Sequence, residues 1–113
     1  MLGDVDPSST DRLIRRFIAG DRTATEALIE RARAGDDPAT LVAAALVVPA
    51  WQGVLARAAQ VAEGARERQI VALAAAFRRG EIDRALVLAR DHLAEHPESL
   101  LVAHIAAASV RRT

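Results

Sequence analysis

Four glycines, Gly20, Gly35, Gly64 and Gly80, each stand just past a run of apolar residues spaced three and four apart, and they cut the chain into pieces of helical length. Glycine enters the left-handed backbone region at little steric cost, so it is the residue expected one step beyond a helix end. Punctuated this way, the chain is limited to short helices that must bury their apolar faces on one another. Its 26 alanines and only three aromatic residues, Phe17, Trp51 and Phe77, make a core of small side chains. Helix-on-helix packing tolerates such a core and sheet packing seldom favours it. The expected fold is all-α, a stack of antiparallel helical hairpins with six or seven helices.

The helix limits follow from caps and breakers. Leu13, Ile14, Phe17 and Ile18 give residues 10–19 an apolar stripe, with Thr10 as the N-cap and Asp11 paired with Arg15 one turn on. Thr23 and Glu26 have capping-box spacing, so a second helix is expected from Arg22 or Thr23 to Ala34. Asp37-Pro38 supplies a cap followed by a proline at the first helical position, where its missing N–H costs nothing. Pro49 inside one helix over residues 39–63 would cost about 3 kcal/mol. Two helices are expected there instead, at 39–50 and 54–63, with Trp51-Gln52-Gly53 at the turn; one kinked helix is the alternative. Residues 66–79 carry Ile70, Leu73, Ala74 and Phe77 on one face, and residues 82–95 align Ile82, Ala85, Leu86, Ala89 and Leu93. A last helix is expected at about 98–110, and from Leu100 on it is apolar nearly all round, with only His104 and Ser109 polar before Arg111. A terminal helix should turn a polar face to water, so this one is expected to pack against a second copy across a two-fold axis or against an adjoining helical segment.

An internal repeat runs through these elements. FIAGDRTATEALIERARAGDDPATLVAAAL, from Phe17, lies over FRRGEIDRALVLARDHLAEHPESLLVAHIAA, from Phe77, with one gap. Gly53, followed by Ala58 and Ala62, matches the offsets of Ala85 and Ala89 from Gly80 and suggests a third turn between them. Repeats on this scale are a mark of stacked helical hairpins. The 34 residues 66–99 resemble a tetratricopeptide repeat, with Gly80 at the inter-helix turn, Ala85 where the helices approach most closely, and Pro97 closing the unit. The pattern departs at Gln69 and Ala76, where larger aromatic residues are usual. The run ARERQIVALAAAFRRGEIDRALVLARDHLAEHPESLLVAHIAA is similar to the divergent repeats of the tetratricopeptide repeat protein 38 family, over residues 17–110. That resemblance implies a binding scaffold and carries over no catalytic residue.

Charge and composition exclude other classes. Fifteen arginines balance fifteen acidic residues, against the basic excess that phosphate contacts demand, and thirty Leu, Ile, Val and Phe residues are too many for a disordered chain. LIRRFIAGDRTATEALIER is similar to the opening of an extracytoplasmic-function sigma factor. The aromatic promoter-melting helix and a second, basic helix-turn-helix are missing, so no nucleic-acid partner is expected. The absence of cysteine removes disulfides and thiolate metal sites. Residues 1–11 are acidic and lack the apolar core of a secretory signal. The thirteen-residue apolar stretch at 39–51 is too short for roughly 30 Å of hydrocarbon. A cytoplasmic chain with no membrane partner is expected, organised as a flexible 1–9, a single domain over 10–110 and a tail at 111–113.

Two constellations carry candidate chemistry. Arg68, Arg78 and Arg79 could grip an acidic peptide bidentately, although the Lys and Asn of carboxylate-gripping tetratricopeptide grooves are missing. Leu101, His104 and Ile105 join them as candidate partner-binding residues. His92 and His96, one helical turn apart, and His104 on the next helix could form a zinc or ligand cluster, which is the alternative reading of a small binding domain or enzyme. The spacing lacks the acid of the HExxH motif. Ser8, Ser9, Ser99 and Ser109 have no matching His and Asp for nucleophilic catalysis. The expectation is a non-catalytic, cofactor-free scaffold for protein or peptide, self-associating through its last helix.

Overall fold

The computed structural model describes residues 7–112, and their regular structure is entirely helical: α1 (Pro7–Ile18), α2 (Arg22–Ala34), α3 (Pro38–Ala45), α4 (Trp51–Val61), α5 (Ala65–Arg78), α6 (Ile82–Glu95) and α7 (Leu100–Arg111). α1 and α5 end identically. The Gly20 and Gly80 N–H groups donate to the carbonyls of Phe17 and Phe77, and the next N–H in each case, of Asp21 or Glu81, reaches Arg16 O or Ala76 O at 2.9 Å. Both glycines have positive φ, 91° and 81°, the left-handed closure that ends a helix at glycine. Gly35 differs: its φ is −111°. There glycine serves space, because a Cβ would lie 2.9 Å from the Arg31 carbonyl oxygen.

Several local expectations need correction. α1 begins at Pro7, a favoured first position, so Thr10 is a buried helical residue rather than a cap. The expected flexible 1–9 thus loses residues 7–9 to the helix, while residues 1–6 and Thr113 lie outside the described residues. Asp21 caps α2 in place of Thr23, accepting from the N–H groups of Thr23 (2.9 Å) and Ala24 (3.3 Å). The Arg16 guanidinium, 2.8 Å from Asp21 rather than Asp11 from Arg15, holds that carboxyl below the usual carboxylate range. Asp37 caps α3 as expected, accepting from Thr40 N and Oγ1. The break near Pro49 exists, but it falls at residues 46–50. Trp51, Gln52 and Gly53 are the first turn of α4, so Gly53 is not a third repeat turn.

α3 is the most enclosed helix, with residues 40–45 all buried and α2, α4 and α5 packed around it. Small side chains allow that enclosure: Ala24, Ala45, Ala58, Ala74, Ala76 and Ala85 are inaccessible to solvent. Ala85 and Ala89 are buried in the core on α6, which packs along α5. Within α1–α2–α3, and likewise within α5–α6–α7, the first helix packs on the second, the second on the third, and the first on the third. α1 also touches α7. Phe17 meets the His104 ring edge-on at 5.5 Å, so the first and last helices close on each other. The radius of gyration, 13.2 Å, is that of a compact domain.

Candidate functional site

The sequence leaves the phase of α7 open, because a helix apolar on every side can turn any stripe inward. Packing sets it. Leu101 (6 % exposed), Val102, Ile105 (1 %) and Ser109 face the core, and the Ser109 hydroxyl donates to Ile105 O at 2.8 Å, which satisfies it without a partner from another helix. Leu101 and Ile105 are therefore core residues, not partner contacts. The outward positions are Leu100 (41 % exposed), Ala103, Ala107 and Val110 (61 %). Their three-four-three spacing lines up along one helical seam. Beside them α6 exposes Val87 (47 %), and Leu86, Val87, Arg90, Leu93 and Ala94 form an open groove of about 640 Å³ with Ala106 of α7.

The arginines disperse. Arg78 donates to Leu46 O (3.4 Å) and Val48 O (3.1 Å) and lies 5.7 Å from the Trp51 ring centroid, where it closes the free carbonyls after α3. Arg68 and Arg79 are exposed on and just beyond α5. With Arg78 engaged and Leu101 and Ile105 buried, the six expected partner residues do not share one surface.

The histidines also separate. His92 is buried, with Nδ1 3.0 Å from Gln69 Oε1, an acceptor that suits the Nδ1–H tautomer, and its Nε2 is buried without a hydrogen-bond partner. Burial first, then the positive charge of His96 and Arg66, pushes the His92 pKa down. His96 lies beside it, ring centroids 4.9 Å apart, with Nδ1 3.8 Å from Glu98. His104 instead packs on Phe17, and burial followed by Arg111 lowers its pKa. No three His, Cys, Asp or Glu side chains among the described residues group as metal ligands.

Sequence reading missed two further roles for arginine. Arg57 of α4 donates to Ala32 O (2.9 Å) and Gly35 O (2.7 Å) at the end of α2, and Arg112 reaches Phe77 O (3.4 Å) at the end of α5 with its guanidinium 4.9 Å from the Phe77 ring. With Arg78, three helix ends are closed by an arginine from a later part of the chain. No spacing rule announces such long-range caps; the signal was only that α2, α3 and α5 need donors for their last carbonyls. A second cavity, about 520 Å³, opens between α1, α2 and α3 around Arg31, whose guanidinium bonds the Ser9 and Thr10 hydroxyls.

Comparison of the chain with protein-family models, curated proteins and solved structures yields no match. None of the described helices is long and apolar enough to cross a membrane. The α6–α7 face is thus read from its own chemistry. It is largely apolar and built on two helices.

Proposed function

We propose that this chain is a non-catalytic protein-interaction scaffold of tetratricopeptide-like helical hairpins, and that its α6–α7 face receives a helix of a protein partner. The hairpin reading is supported by the α5–α6 pair, with Gly80 at its turn, Ala85 buried between helices and Pro97 after it. One comparison within the molecule carries the docking reading. Counted from Pro38 and Pro97, Leu41 and Ala44 occupy the places of Leu100 and Ala103. Leu41 and Ala44 are buried on α3, which α4 covers, whereas Leu100 and Ala103 meet solvent. Exposed anchors at helical spacing beside a groove are what a partner helix recognises.

The test is site-specific photo-crosslinking in cells that express the protein. A photo-reactive phenylalanine analogue replaces Val87, and in a control it replaces Arg33, whose side chain is 73 % exposed on α2. Discrete protein adducts at position 87 and none at position 33 are expected. Equal labelling at the two positions, or no protein adduct at 87, refutes the reading.

A further inference from the structure

The geometry points to a second copy of this chain as the helix that covers α7, packed antiparallel to it across a two-fold axis. This inference rests on the docking reading above and names its partner. The outward positions 100, 103, 107 and 110 read the same in either direction. An antiparallel copy therefore sets Leu100 against the partner's Val110 and Ala103 against the partner's Ala107, each contact occurring twice about the axis as an isologous interface requires. The small pair lies at the centre and the large pairs at both ends. Alanine at the crossing permits an interaxial distance near the lower limit of about 8 Å, and Leu and Val fill the space where the helices diverge.

Charge selects the direction. Glu98 stands just before α7, with Glu95 closing α6 beside it, and Arg111 stands at the end of α7, all three exposed, while Arg112 is turned to Phe77. A parallel copy would bring acid to acid and base to base. An antiparallel copy brings Glu98 to the partner's basic end, and the helix dipoles oppose as well. Glu98 already lies 3.3 Å from Arg66 and 3.8 Å from His96, but its side chain is 62 % exposed and can meet a further cation. Leu100 and Ala103 are exposed where Leu41 and Ala44 are buried, so the outer face of α7 has room for a further neighbour. The self-complementary seam supplies one without a different protein.

The chain's lack of cysteine makes the test direct. Ala103→Cys and Ala107→Cys alter exposed alanines and leave the core intact. Oxidised as an equimolar mixture, the two variants should give the mixed 103–107 disulfide well above its random share, because only facing Cβ atoms meet disulfide geometry. Sedimentation velocity of the unmodified chain at micromolar concentration should show a dimer that weakens with salt, and Ala103→Glu should give a monomer with an unchanged helical spectrum. Preferential 103–103 and 107–107 linkage, or a monomer at every concentration, overturns the inference. A monomer that still gives foreign-protein adducts at position 87 overturns self-pairing alone. A monomer with no adducts overturns the docking reading too.

Discussion

Replacing Arg57 should destabilise the fold more than replacing any arginine that only decorates the surface. Its two donors meet the carbonyls of Ala32 and Gly35 at 2.9 and 2.7 Å, with Asp36 3.8 Å away. A hydrogen bond from a charged donor contributes about 1.5–3 kcal/mol. The Arg57 side chain is 40 % exposed, so water recovers part of that when it is lost, and the lower end applies to the pair. Arg57→Met, which keeps the apolar stem, should therefore cost about 2 kcal/mol, or roughly 8–10 °C in Tm for a domain of this size. Arg57→Lys should recover about half, since an ammonium can reach one carbonyl but cannot fork across two. Thermal and urea unfolding followed by far-UV circular dichroism measure both. Arg33→Met is the control: its ion pair with Glu30 is exposed on both sides, and its loss should lie within about 0.5 kcal/mol of zero. A Tm for Arg57→Met equal to that of the control would refute the argument that long-range arginine caps hold α2 to α4.

Ala85→Leu should overpack the α5–α6 crossing and cost about 1–3 kcal/mol in urea unfolding. The two non-turn glycines should respond with opposite signs. Gly35→Ala forces a Cβ against Arg31 O at 2.9 Å and should lower Tm, whereas Gly53→Ala, with nothing within 4 Å in the first turn of α4, should stabilise by about 0.5–1 kcal/mol. Stability should also fall as pH drops below 6.5, the ordinary histidine value. His92 and His104 have depressed folded-state pKa values, so the unfolded chain takes up protons first in the window below 6.5 and unfolding becomes easier. Above that value neither state binds the proton and the slope should vanish. His92→Gln should flatten the fall in a Tm-against-pH series, and an unchanged series would refute the assignment.

Local chemistry in the sequence determined the helical class, the ends of α2 and α6, the cap at Asp37 and the glycine closures at 20 and 80. Each depends on residues within one turn of each other, where backbone sterics and near-neighbour hydrogen bonds decide. The errors were also local: Thr23 and Asp21 both offer a cap, and the carboxylate nearer the helix start took the place. The break between α3 and α4 was legible in Pro49, but its position was not, because Trp51 and Gly53 fit a helix start as well as a turn. Tertiary packing alone decided which stripe of α7 faces out, since a helix apolar all round carries no phase of its own. The same holds for Arg57, Arg78 and Arg112, whose carbonyl partners lie 22 to 35 residues away, and for His104, drawn to Phe17 by the meeting of the first and last helices. Sequence periodicity can show that a face is apolar. Only the arrangement of the other helices decides whether it is covered, and that left Leu100, Ala103, Ala107 and Val110 at the surface.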